Sequence, residues 1–163
     1  MEWGLLGDSI HAWKGPCHVS FEHMVDGEDL REKSAIEGSM MLHWIVELFD
    51  QNLTAGVFFQ RVMADHVRAL IEERTSHKFH LRRDGDDLYF ENKKLSISIA
   101  TRSPNSVLIH FAVNISNQGT PVATCSLEDF GLDPDSFAVD VMERVAKEWA
   151  SVREATWKVR PVC

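Results

Sequence analysis

Cysteine is scarce in this chain and badly placed for cross-linking. Cys17, Cys125 and Cys163 lie far apart in 163 residues. An odd, widely spaced set makes no disulfide framework, and the absence of a Cys-x-x-Cys pair removes the usual structural zinc knuckle. Long apolar runs are missing too. The richest stretch, "MMLHWIVELF", is interrupted by His43 and Glu47 and is too short to cross a bilayer, so no membrane partner is expected. The opening "MEWGLLGDSIHAWKG" has no basic segment followed by an apolar one, so no secretory leader is expected and the compartment should be a reducing cytoplasm. Positive charge is also short. The 17 Lys and Arg face 25 Asp and Glu, giving a formal net charge of −8. Nucleic-acid binding needs clustered bases to displace counterions, so nucleic acid is not an expected partner.

What is present suits a soluble globular protein. Hydrophobic residues make up 44% and charged residues 26%, enough for one domain, residues 1–163, with a real core. The first 25 residues read as β structure punctuated by Gly7-Asp8 and Lys14-Gly15-Pro16. Met41, Ile45, Leu48 and Phe49 recur at helical spacing and predict a helix over about 38–50. A second helix is predicted over 55–74, with Phe58, Phe59, Val62, Met63, His66, Val67, Leu70 and Ile71 on its apolar face. The period then drops to two. "KFHLRR", "DLYFE", "KLSISIAT" and "SVLIHFAVNI" read as four strands whose short connections imply antiparallel neighbours. In the third, Leu95, Ile97 and Ile99 should share one side and Ser96, Ser98 and Ala100 the other. A last helix is predicted over 134–153, capped by Asp133 with Pro134 in its first turn. The expected fold is α+β, a mostly antiparallel sheet flanked by helices.

Chemistry concentrates in "DDLYFENKKLSISI", residues 86–99. Enzymes that activate a carboxylate or move an acyl group develop negative charge on oxygen. A preorganised ammonium stabilises that charge, and losing such a donor costs about 3 kcal/mol in the barrier. Lys94, at the start of a strand, sits on a rigid mount for that task. Asp86 and Asp87 are hard oxygen ligands of the kind that hold Mg²⁺ against phosphates. The plain alternative is that Asp86, Asp87, Lys93 and Lys94 form a solvated turn with weak ion pairs.

The segment "RDGDDLYFENKKLSISIATRSPNSVLIHFAVNIS" resembles the catalytic hairpin of the biotin and lipoate protein ligase superfamily. That pattern runs basic residue, two variable residues, Asn-Asp, apolar strand, turn, then Lys with a small residue and Gly, and later a strand ending in Asn-hydrophobic. Arg83 stands at the basic position, Asp86 at the Asn, Asp87 at the Asp and Lys94 at the lysine. Val113-Asn114-Ile115 falls at the Asn-containing strand end. The likeness spans roughly residues 55–118. It implies a biotin/lipoate ligase-like fold, a catalytic Lys94, and Arg83, Asp86, Asp87 and Asn114 as substrate-binding residues. Its implied cofactors are ATP and Mg²⁺, and its implied partner is a small-molecule carboxylate or acyl ligand. Two features depart from the pattern: Ser96-Ile97 replaces the small-residue-and-Gly step, and no Gly/Arg-rich adenylate loop is present. In the octanoyltransferases of this superfamily a cysteine downstream of the Asn strand works with the lysine. Cys125, in "PVATCSLEDFG", lies in roughly that place, which implies a nucleophile, although Thr124 and Ser126 replace the family's Pro and Gly. "FEHMVDGEDL" and "SMMLHWIVELFD" further resemble a small archaeal and bacterial family of unknown function with a ligase-like fold.

The histidines supply a competing reading. Cys17, His18, Glu22, His23 and Asp26 cluster in sequence, and His43 is placed to join them. If residues 17–23 form a strand, Cys17 and His23 are roughly 20 Å apart and cannot share one ion. His23 and Asp26 are instead expected to line a substrate pocket where a strand passes into a loop. His110, alternating within an apolar strand, reads as a hydrogen-bonded near-core histidine. Three functions follow: an acyl-handling ligase or transferase with Lys94 as its anchor, a non-catalytic small-molecule-binding protein on the same scaffold, and a metal-dependent hydrolase built on the amino-terminal His and Asp residues. Whether the chain forms a homodimer stays open.

Overall fold

The computed structural model describes residues 6–19, 27, 31, 36–117 and 123–162. Its largest element is a four-stranded antiparallel sheet of β1 (Ser9–Val19), β2 (Ile36–Phe49), β6 (Ser96–Arg102) and β7 (Ser106–Asn114), in the order β1-β2-β7-β6. A second sheet is a three-stranded meander of β3 (Arg82–Asp84), β4 (Asp87–Phe90) and β5 (Lys93–Lys94). Two helices, α1 (Leu53–Arg74) and α2 (Pro134–Trp157), pack on one face of the large sheet, α1 over β6 and β7 and α2 over β1. The architecture is α+β. Among the described residues no helix is long and apolar enough to cross a membrane.

The segment read from sequence as a helix over 38–50 is the strand β2. It pairs with β1 through Ser9↔Glu47 to Val19↔Ile36 and with β7 through Met41↔Asn114 to Phe49↔Ser106. Leu42, Trp44, Val46 and Leu48 point into the helix-side core, while Met41 and His43 are buried on the opposite face. A central strand covered on both faces shows no alternation of polarity. Its continuous apolar run therefore coincides by chance with positions three and four apart. Asp50, at φ 57°, ends the strand, and the Asn52 side chain accepts the Ala55 N–H at 2.9 Å to open α1.

Elsewhere the periodicity reading holds in the main, but Phe58, placed on the apolar face of α1, is 68% exposed, and "KFHLRR" becomes a strand only from Arg82. Helix α1 buries Phe59, Met63, Val67, Leu70 and Ile71 as its pattern requires. Asp133 caps α2, accepting the Ser136 N–H at 2.8 Å, and the helix runs one turn past its expected end. Trp44 fills the centre of the core, 6.3 Å from the Phe137 ring. Within "KLSISIA", Leu95 does not share a face with Ile97. The chain steps from the small sheet into the large one at Leu95, which enters the helix-side core, whereas Ile97 packs with Cys17, Met41 and Ala112 on the far side.

Candidate functional site

Lys94 is held in place through both its backbone and its side chain. The turn between β3 and β4 is the two-residue loop Gly85-Asp86, with Gly85 at φ 61°, a conformation glycine adopts without strain. The β4–β5 turn is Glu91-Asn92 and sets Tyr89 opposite Lys94. The Lys94 N–H donates to the Ala123 carbonyl at 3.1 Å, and its carbonyl accepts the Cys125 N–H at 3.1 Å. The Asn114 carboxamide donates to the carbonyls of Cys125 at 3.1 Å and Lys94 at 3.4 Å. Asn114 is buried and faces Met41 across the β7–β2 pairing. It thus joins the Lys94 mount to the apolar patch of Cys17, Met41, Ala112 and Ile97, and its side chain acts as a brace on backbone.

The Lys94 Nζ pairs with Asp87 Oδ2 at 2.8 Å, both side chains about one-third exposed. The Tyr89 hydroxyl donates to the same oxygen at 3.3 Å, and the Arg82 guanidinium lies 4.6 Å from the Tyr89 ring centre. Burial first, then the adjacent Asp87 charge, raises the Tyr89 hydroxyl above its ordinary range, keeping it a donor. Tyr89 gave no signal in the sequence, because its role appears only when β4 pairs with β5.

The remaining expected residues do not converge on Lys94. Asp86 turns to α1, where its Oδ2 accepts from Gln60 Nε2 at 2.8 Å and Ser98 Oγ at 2.6 Å. Asp86 and Asp87 therefore face different partners, and the pair does not fit a shared Mg²⁺ site. Arg83 pairs with Asp65 of α1 at 3.2 Å and donates to the Gly85 carbonyl. Its role is to tie the small sheet to the helix. Cys125 is buried, its Sγ donating to the Lys93 carbonyl at 3.5 Å, and burial pushes its thiol up to about 11. That is the reverse of the lowered value an acyl-carrying thiol needs, because desolvation outweighs the weak attraction of Lys93. His23 and Asp26 lie outside the described residues. Lys94 lines neither the cavity beside Phe49, Asn52 and Arg102 nor the one beside Ile10, Phe59 and Trp149.

A second group lies on the sheet face away from the helices. His43 Nδ1 and His110 Nε2 are 3.1 Å apart, and the rings are 11° from coplanar, so the imidazoles meet edge to edge. His43 Nε2 lies 3.1 Å from the Gly15 carbonyl, which can only accept. The proton order follows: His43 donates to Gly15, and His110 donates to His43. Trp13, 37% exposed, lies parallel to His43 with centroids 5.0 Å apart. Burial lowers both histidines, His110 to about 4, with the His43 charge a further cause there. The expectation of a hydrogen-bonded near-core His110 is met. Its partner escaped notice because residue 43 was assigned to a helix. Among the described residues no three His, Cys, Asp or Glu side chains converge as metal ligands.

The family described as "Domain of unknown function (DUF366)" matches residues 1–160. The chain belongs to that family. It is 33% identical over 162 residues to an uncharacterised protein of Methanocaldococcus jannaschii, covering 95% of this chain and 72% of that one. A solved protein of unknown function from Pyrococcus horikoshi superposes with a TM-score of 0.91 at 38% identity, over 99% of this chain and 86% of that one. Biotin protein ligase from Aquifex aeolicus, solved as a point mutant in complex with biotin, gives a TM-score of 0.59 at 20% identity, over 80% of this chain and 56% of that one. The fold is thus biotin/lipoate ligase-like.

Proposed function

We propose that the protein is an acyl-handling enzyme acting on a small carboxylic acid, with Lys94 stabilising the carboxyl or acyl oxygen. The observation that carries this reading is the fixed Lys94 ammonium on a ligase-like fold, braced by Asn114 next to an apolar patch. Asp87 and Tyr89 orient the ammonium, so little reorganisation is needed when a carboxylate oxygen arrives. Met41 and Ala112 are buried, so within this patch the partly exposed Ile97 is what a hydrocarbon chain would meet, with the head group directed toward Lys94. Related support comes from solved Aquifex aeolicus biotin protein ligase in complex with biotin and ATP, at a TM-score of 0.56. Asp86 and Asp87 are engaged separately and do not offer a paired carboxylate site for Mg²⁺.

The buried, raised thiol of Cys125 favours a second reading, a binding protein without acyl transfer. Thermal-shift titration with biotin, lipoate and fatty acids, each with and without ATP, tests the first. A ligand that binds the folded form raises its melting temperature. Lys94→Ala should fold normally and bind the stabilising acid at least tenfold more weakly; equal binding by the variant overturns the role of Lys94. Mass spectrometry after incubation with acyl donors separates turnover from binding alone.

A further inference from the structure

On the helix side of the large sheet a cleft of about 360 Å³ opens between β1, β2 and the two helices. Its floor is Ile10, Val46 and Leu48, and its walls are Phe59 of α1 with Val145 and Trp149 of α2. Ala146 and Ala150, one helical turn apart on α2, leave the space that larger side chains would fill. At the mouth stands Asp8, whose carboxylate is fixed by two donors. The Phe49 N–H reaches Oδ1 at 2.8 Å, and the Trp149 indole N–H reaches Oδ2 at 2.7 Å. Trp149 is itself set edge-on against Phe59, centroids 5.1 Å apart. Among the described residues no Lys or Arg lines the cleft.

An apolar hollow of this size with one oriented polar group matches the general form of a small-molecule site. Asp8 keeps acceptor capacity beyond its two donors, and its exposed negative charge beside the apolar cleft favours a cation and repels an anion. We infer that this cleft binds a small aliphatic amine, its ammonium on Asp8 and its chain between Ile10, Phe59 and Trp149. The site is separate from Lys94. Asp8 adjoins the Phe49 end of β2, whereas Asn114 pairs at Met41, roughly 26 Å away along the strand. The two sites also select opposite charges.

The test uses hexylamine, hexanol and hexanoate, following the indole N–H resonance that disappears in Trp149→Phe. Hexylamine should shift that resonance saturably, and hexanoate should leave it unmoved over the same range. Ala146→Trp, at an exposed position on the helix that spares the core, should block the shift. Asp8→Asn removes the charge, keeps one of the two acceptor oxygens, and should reduce hexylamine affinity at least tenfold, to the level of hexanol. Failure of hexylamine to move the resonance, an equal shift with hexanoate, or unchanged binding in either variant overturns the proposal. Because no outcome depends on Lys94, failure here leaves the acyl-handling reading intact.

Discussion

Cys125 and Lys94 are backbone neighbours across a parallel bridge, Lys94↔Thr124, yet their side chains have opposite fates. The lysine is partly exposed and ion-paired, while the thiol is buried and donates to a carbonyl. Thiolate reactivity follows pKa and access, and Cys125 lacks both. Native protein at pH 8 should therefore leave Cys125 unmodified by iodoacetamide while the denatured chain reacts, as read by peptide mass. Rapid native labelling would restore the nucleophile. In the sequence, Cys125 and Lys94 were found by position relative to a known pattern, which specifies order along the chain but not solvation. Asp86 and Arg83 show the same limit. Both occur at the spacing expected of ligand-binding residues, but Gln60, Ser98 and Asp65, distant in sequence, take up their hydrogen-bonding capacity.

Among the elements, α1 packs tightly on β7 at Gly56. A Cβ there would lie 2.3 Å from Val107 Cγ1, so the helix can approach the strand only where no side chain intervenes. Alanine gains about 1 kcal/mol of helix propensity over glycine. Overpacking a buried contact costs typically about 1–3 kcal/mol. Steric cost should win, and Gly56→Ala should lower the urea midpoint. Adding Val107→Ala should recover part of the loss relative to the sum of the single changes, and simple additivity would show that the contact is not the cause. The two helices were legible because each has one wet face. Strand β2 was not, because both of its faces are covered, and burial on the second face depends on Cys17, Ala112 and Ile97 arriving from other strands.

Over the whole molecule, the hydrogen-bonded line from His110 through His43 to Gly15 ties three strands together across one face. It works only with both rings neutral. His110 is lowered from 6.5 to about 4, so the folded chain resists a proton that the unfolded chain accepts. Above pH 6.5 both states are neutral and this pair adds no pH dependence. Between 6.5 and about 4 its contribution falls as pH drops, levelling below the folded value. Urea midpoints measured from about pH 8 to about pH 4 should decline more steeply for the native protein than for His110→Gln, in which an amide replaces the donor to His43. Identical slopes would show that His110 carries no part of the acid sensitivity.

Local pattern by itself determined the α+β class, both helices, the turns at 84–85 and 91–92, and the Asp133 cap. Each rests on interactions between residues close in the chain, where side-chain spacing and backbone preference act directly. Tertiary structure alone decided that residues 36–49 extend as a central strand, that Asp86 and Asp87 part company, that the Cys125 thiol is desolvated, and that His43 meets His110. Those outcomes depend on which distant groups exclude water or offer a hydrogen bond, and solvation of a side chain is a property of its folded surroundings.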